Sequence, residues 1–289
     1  PTALAGLLSA TGPVTVPGLE QPLSSATVVQ FLLLDQYALD TPDRRDLLEA
    51  VADATLDAVL GGSLPSPQHL AKDLGPAAAD GHLLMWSATP AEQALLAQIG
   101  IDGALPALDG RDGFAVVNNN ASANKIDSFL ERAVSYRATA NESTGAVTAT
   151  MTVALTNNAP SSGYPSYVIE SEFLDMPSGT NRTLLTVYSP LDELSATLDG
   201  KPIGMSRSEE LGWNTYTVKL DLPPQSTRTL VIELGGRIRP GPYELVVRPQ
   251  PTAHEDHVTI EVGGDADVHF VGTISRRTVV DARGPTALR

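Results

Sequence analysis

The sequence contains no cysteine. That absence excludes a disulfide framework, a thiolate metal site, an iron–sulfur cluster and a cysteine nucleophile. Lysine is nearly as scarce, at four residues in 289, and Lys and Arg together number 19 against 34 Asp and Glu. The formal charge is therefore −15 and the pI is near 4.6. A surface of that sign repels a phosphate backbone, because binding by counterion release needs a concentrated cationic face, so no nucleic-acid partner is expected. Aromatic residues make up only 5% of the chain. Long apolar runs are missing as well: the best candidate, 28–34, contains Gln30 and ends at Asp35, short of the roughly 18 residues a membrane helix needs. What remains is a soluble globular composition, 42% hydrophobic, long enough for two cores or for one large domain with an appendage.

The hydrophobic rhythm divides the chain in two. In residues 1–132 helix signals dominate. Thr41-Pro42-Asp43 supplies a hydroxyl cap, a first-turn proline and an acid, and Leu47, Leu48, Val51, Thr55, Leu56 and Val59 follow at helical spacing, which predicts a helix over 42–60. Thr89-Pro90-Ala91-Glu92 reads as a capping box opening a helix that Gly100 stops. Ser66-Pro67 predicts a shorter helix toward Leu74. Ser24 or Ser25 predicts another, with Val28, Phe31 and Leu32 on its apolar face. The compact apolar runs 82–86 and 114–117 suit short buried strands, so this portion reads as α/β. Beyond it the period changes to two: Val134/Tyr136, Val147/Ala149/Met151/Val153/Leu155, Leu185/Val187 and Trp213/Thr215/Thr217/Lys219. Further short runs continue to 273, which predicts an antiparallel β-sandwich-like portion over 133–289, with a sub-boundary or crossover at 235–242. The fold class expected is α+β.

Four phrases occur together in order: 7–14 (LLSATGPV), the Asp35-Gln36-Tyr37 helix end, 118–127 (NNNASANKID), and Asn157-Asn158-Ala159-Pro160 followed by Tyr164-Pro165-Ser166-Tyr167. Together they resemble the domain-of-unknown-function family 4012 of actinobacterial cell-envelope proteins, often encoded among polysaccharide genes. The resemblance covers the whole chain and implies an extracytoplasmic body, at the cell surface or secreted, whose single membrane anchor lies upstream of Pro1. It also implies an upstream segment, absent here, similar to part of the LytR–CpsA–Psr phosphotransferases.

The residues themselves offer one promising site. Asn118, Asn119 and Asn120 follow a buried run and lead through Asn124, Lys125 and Asp127 toward a helix, gathering several amide donors and acceptors at a strand end, which would suit a sugar. The alternative is that Ser122 or Asn124 caps the helix and the asparagines satisfy a tight loop. Tyr164 and Tyr167 in the Pro-rich loop are the aromatics expected to be exposed for stacking on a ring. His254-Glu255-Asp256-His257 is dense in metal-capable groups, but in a strand positions i and i+3 point to opposite faces, so an exposed loop is expected. Asp109-Gly110-Arg111-Asp112-Gly113 lacks the acid spacing of a calcium loop and reads as a turn. Ser87 or Ser122 with His82 is a pairing by number only.

No catalytic residue, metal or cofactor is expected. The function anticipated is an extracytoplasmic binding or assembly module for surface glycopolymer handling, with a cell-wall or exopolysaccharide glycan as partner, and the chain alone leans away from being an enzyme. Two alternatives stand beside it. One is part of a LytR–CpsA–Psr-like glycopolymer phosphotransferase, which asks for a basic pocket drawn from Arg44, Arg45, Arg111, Arg132, Lys72 and Lys125. The other is a structural surface protein that self-associates through long sandwich edges.

Overall fold

A computed structural model describes residues 1–39, 44–61, 66–171 and 173–287. The chain folds as α+β and divides into two compact units, Pro1–Gly103 and Ala104–Arg289.

The first unit is built from helices α1 (Thr2–Thr11), α2 (Val28–Leu33), α3 (Arg44–Gly61), α4 (Pro67–Ala79) and α5 (Pro90–Ile99). Its small core joins Leu8, Val28, Phe31, Leu47 and Val51 to Val14, Val16 and Leu23, and Val14 and Leu23 form an isolated β-bridge. Helix α1 packs on α4 at Gly6, where a Cβ would come 2.7 Å from the Asp73 carbonyl oxygen, so only glycine allows this approach. Helix α4 opens at Ser66, whose Oγ accepts the His69 N–H, and it continues past Leu74 through Pro76 to Ala79. Helix α5 starts and stops where Thr89-Pro90 and Gly100 predict, but the capping box does not close. The Thr89 side chain makes no cap bond, and Glu92 instead accepts from Ser87 Oγ at 2.6 Å. The cap proposed at residues 41–43 lies outside the described residues.

The run 82–86 is not a strand. Leu84, Met85 and Trp86 are exposed, and the segment is tied by the His82 and Leu83 N–H groups to the Ala77 carbonyl and by the Met85 N–H to the Ile101 carbonyl. The other expected strand of this portion, at 114–117, exists but belongs to the second unit. The boundary therefore falls at 103/104 and not at 132, and the described residues before it are helical with no named strand.

The second unit is a sandwich of two seven-stranded sheets. The first sheet contains β1 (Asp112–Asn120), β4 (Asn181–Ser189), β7 (Ser206–Glu210), β8 (Trp213–Leu222), β10 (Leu245–Arg248), β13 (Thr278–Asp281) and β14 (Gly284–Ala287), in the order β14-β13-β10-β1-β4-β8-β7. The second contains β2 (Leu130–Asn141), β3 (Ala146–Asn157), β5 (Asp192–Leu198), β6 (Lys201–Pro202), β9 (Ser226–Arg237), β11 (His257–Gly264) and β12 (Val268–Thr273), in the order β12-β11-β2-β3-β9-β5-β6. The sandwich is mixed, not wholly antiparallel: β1 pairs in parallel with β10, and β2 in parallel with β11. The crossover from β9 in one sheet to β10 in the other is made by 238–244, so it overlaps only the later part of the expected 235–242, whose first three residues are still paired in β9. The edge strands are short, from two residues in β6 to six in β12, and 218–222 of β8 extend beyond β7 with no ladder partner on that side among the described residues.

Alternating side chains fill the space between the sheets. Phe114, Val116, Leu185, Val187 and Tyr216 from one sheet meet Tyr136, Met151, Val153, Ile232 and Ile260 from the other. Phe114 stacks on Tyr136 with ring centroids 5.3 Å apart. In β8 the alternation slips. Trp213 and Thr215 are buried on the phase predicted, but Tyr216, Leu220 and Leu222 carry the core on the other. Trp213 is instead enclosed on the outer face, where its indole N–H donates to the Pro106 carbonyl and its ring lies over Gly113. A Cβ at Gly113 would sit 2.9 Å from that ring and 2.6 Å from Leu108.

Candidate functional site

Strand direction brings four connections to one pole of the sandwich: 121–129, 158–180, 223–225 and 249–256. Loops are ordinarily the least constrained parts of such a fold, because their backbone groups lack ladder partners. Here buried polar side chains take the place of the ladders.

Arg132, at the start of β2, is 5% exposed and directed inward. Its Nε and Nη2 donate to the two carboxylate oxygens of Asp256, both at 2.7 Å. Its Nη1 donates to Asn118 Oδ1 at 2.6 Å, to Gln250 Oε1 at 2.7 Å and to the Val116 carbonyl. The planar fork of an arginine suits such a multiple clamp. Gln250 also pairs with the Asn118 backbone, accepting its N–H and donating to its carbonyl, both at 2.9 Å, so an amide side chain imitates one more residue of β10 beside β1. Asn118 Nδ2 and Asn181 Nδ2 both donate to Asp127, at 3.3 and 2.8 Å. Burial pushes the carboxyls of Asp127 and Asp256 above the usual range, against the pull of Asn181 and Arg132 on the first and of Arg132 on the second.

The neighbouring loop is closed in the same way. Asn120 Oδ1 accepts the Ser122 N–H, and its Nδ2 donates to Asn124 Oδ1 and to the Asn124 carbonyl. Asn124 Nδ2 reaches the Glu170 carbonyl, and its Oδ1 accepts the N–H of Ile126, the first residue of the 3-10 turn Ile126–Phe129, whose own N-cap residue is Lys125. No α-helix follows the asparagines; the turn leads directly into β2. Asn157, wholly buried, donates to the carbonyls of Gly179, Leu222 and Pro223 and accepts the Ala159 N–H.

The predicted site residues accordingly separate into two sets. Asn118, Asn120, Asn124 and Asp127 are committed to this framework. Asn119 is exposed on the outer face of the first sheet, opposite Leu184, which is in turn opposite Lys219. Lys125 is half-buried, its N–H donating to the Tyr167 carbonyl. Tyr167 is half-buried, whereas Tyr164 is 41% exposed and packs edge-on against Phe129 with centroids 5.1 Å apart. Phe173, in the same loop as Tyr164, is 78% exposed and was not singled out from the sequence. The accessible candidates are therefore Tyr164, Phe173 and Lys125 on loops whose backbone is pinned from below, and Asn119 near the end of strand β1.

The remaining candidates carry no arranged chemistry. In the 254–257 cluster, Asp256 holds Arg132, His254 Nε2 lies 2.9 Å from the Ser128 carbonyl, and His257 opens β11. Among the described residues no three His, Asp or Glu side chains are grouped to hold a metal ion. Ser122 Oγ accepts the Arg182 N–H, and Ser87 Oγ donates to Glu92. Of the cations a phosphate pocket would need, Arg132 is enclosed by Asp256, and Arg111 bonds its own turn at Ala107, Leu108 and Asp109. The side chains of Arg44 and Arg45 lie outside the described residues.

At the opposite pole two features escaped sequence reasoning. Asp112 is fully buried, and its Oδ2 accepts from Tyr136 at 2.7 Å and from Tyr243 at 2.6 Å. Burial raises the Asp112 carboxyl despite these bonds, and burial beside that carboxylate holds both phenols well above their ordinary value. Above this group a cleft of about 590 Å³ is lined by Glu142, Glu244, Asp265, Asp267, Asp281 and Arg283. Asp281 pairs with Arg283, and Glu142 accepts the Tyr243 N–H.

No protein-family profile matches the chain, and no curated protein matches it. Solved structures resemble it weakly. A Legionella pneumophila protein provisionally assigned to nutrient binding aligns with a TM-score of 0.34 and 8% identity, over 61% of this chain and 67% of that one. An M1 zinc metallopeptidase from Deinococcus radiodurans aligns at 0.26 and 12%, over 52% of this chain and 38% of its own. Yeast LTA4 hydrolase aligns at 0.26 and 10%, over 55% and 28%. The chain thus spans well under half the length of both of these enzymes, and scores this low define neither its topology nor its activity. No helix among the described residues is long and apolar enough to cross a membrane.

Proposed function

We propose that this chain is an extracytoplasmic binding or assembly module of the cell envelope that contacts a surface glycopolymer through the loop pole of its sandwich. The observation that carries the reading is the separation of roles at that pole. Buried asparagines, Arg132 and Asp256 hold the loop backbones, while Tyr164, Phe173, Lys125 and Asn119 remain wholly or partly accessible. Aromatic faces and amide groups on a rigid base are what a sugar ring requires, since its apolar face stacks and its hydroxyls need fixed donors and acceptors. The envelope location follows the resemblance of the asparagine-rich and Tyr164-Pro165-Ser166-Tyr167 phrases to actinobacterial envelope proteins.

Binding of the whole chain to an array of cell-wall and exopolysaccharide glycans tests the proposal. Retention of at least one glycan, lost in Tyr164→Ala and weakened in Asn119→Ala with the unfolding curve unchanged, is the expected result. Equal retention by wild type and both variants would remove this pole from consideration.

A further inference from the structure

Helix α5 departs from what keeps a short helix folded. Ten residues are too few to hold a helix in water without tertiary packing, yet no residue of 90–99 is buried. Its supports are local: proline in the first turn, Gly100 in the left-handed conformation at φ 79°, and the clasp of Glu92 and Gln93 on Ser87. Ala91, Leu95 and Ile99 recur at four-residue spacing and form one stripe, with Leu95 and Ile99 both more than half exposed. The segment 83–87 runs beside the residues that leave this helix, joined by the Met85 N–H on the Ile101 carbonyl at 2.8 Å, and Leu84 lies against Gly103. It adds Leu84, Met85 and Trp86, the last 77% exposed. Single exposed apolar residues need no explanation, but five large ones between Leu84 and Ile99 mark a contact surface.

Charge selects what covers it. From Asp73 to Leu108 the chain carries four acidic residues and no Lys or Arg, and residues 1–103 carry 12 acidic against three basic. A second copy would bring the same sign to the contact, as would an anionic lipid surface. We propose that this face docks a cationic amphipathic segment of a protein partner, whose apolar side chains cover Leu95, Ile99, Met85 and Trp86 while its lysines and arginines are drawn by the acidic excess of residues 1–103 and by Glu92 on the helix itself. The proposal concerns the helical unit and stands independently of the glycan reading.

Trp86 and Trp213 are the only tryptophans, and Trp213 is buried, so changes in emission on titration report on Trp86. The probe is a short synthetic Leu/Lys peptide with helical periodicity, added to the full chain. A saturable blue shift is expected, with binding weakened about tenfold or more in the Leu95→Ser, Ile99→Ser double variant. That variant keeps the wild-type charge, and its unfolding midpoint should not move because neither side chain is buried. A Lys/Ser peptide of equal charge should give no shift. Equal binding by the double variant, an equal shift with the Lys/Ser peptide, or a buried-type Trp86 emission in the free chain would each overturn the proposal. Sedimentation that reveals a dimer lost in the double variant would assign the face to a second copy. A Trp86 shift on phosphatidylglycerol vesicles would assign it to lipid. Either result would also overturn the proposal.

Discussion

Replacing Asp256 with alanine tests whether the loop pole is held by the buried ion pair. Arg132 would keep its charge in the interior, while the Nε and Nη2 donors that now meet the carboxylate at 2.7 Å would face no acceptor. Removing one member of such a pair costs about 3–5 kcal/mol, because the remaining charge still bears its desolvation penalty. In a unit the size of 104–289 each kcal/mol is worth roughly 2–4 °C, so Tm should fall by about 6–20 °C. Arg132→Met is expected to cost less, and less still in acid, since the Asp256 carboxyl is already raised by burial and can escape its penalty by taking a proton. The double variant Arg132→Met, Asp256→Ala removes both charges and should cost well under the sum of the two single variants. Urea unfolding of all four proteins, followed by circular dichroism in the β-sheet region, completes the cycle. A loss under about 1 kcal/mol for Asp256→Ala, with no coupling between the two sites, would place the pair among surface-like interactions and refute the argument.

Asn157→Ala strips three carbonyls of their donor, those of Gly179 and Leu222 in buried bonds, and should cost about 2–4 kcal/mol in the same assay; a change within experimental scatter would mean that the 158–180 loop is anchored elsewhere. Gly113→Ala forces a methyl against Trp213, Leu108 and the Val246 carbonyl, with an expected cost of about 1–3 kcal/mol and a changed Trp213 emission. The pH dependence of Asp112 has a definite sign. Its pKa is higher folded than unfolded, so the native state holds the proton more tightly, and stability falls as pH rises from the ordinary value of 3.8 through the raised one. The stability of wild type relative to Asp112→Asn should therefore decline across that interval and level off above it, as read from urea midpoints at a series of pH values. A difference that grows with pH would reverse the assignment.

Much of the framework could be read from residue order. The five alternating positions of β3, from Val147 to Leu155, are all buried as their period requires, and the helix ends at Ser66, Pro90 and Gly100 fall where their chemistry places them. The unit boundary could not be read in the same way, because β1 is buried on both faces and so lacks the alternation that announced the later strands. The run at 82–86 shows the converse: compact and apolar, it looks like a core strand but remains exposed. The asparagine phrase was recognisable as a special place, yet its main role as a scaffold depends on partners remote in sequence. Gln250 lies 132 residues from Asn118, and Asp256 lies 124 from Arg132. No local pattern signals such pairings, nor the meeting of Tyr136 and Tyr243 on Asp112.

The two parallel pairs, β1 with β10 and β2 with β11, impose an order on synthesis. Both strands that begin the sandwich are central, and each waits for a neighbour encoded near the end of the chain. Until the ribosome has delivered residues beyond 256, β2 lacks its β11 neighbour and Arg132 lacks the paired carboxylate of Asp256. Closure of long loops precedes the reward of these contacts, so the nascent chain must remain unaggregated with its hydrophobic layers half covered. The acidic excess of 34 against 19, met first as a reason to exclude nucleic acid, supplies the mutual repulsion that keeps such unfinished chains apart.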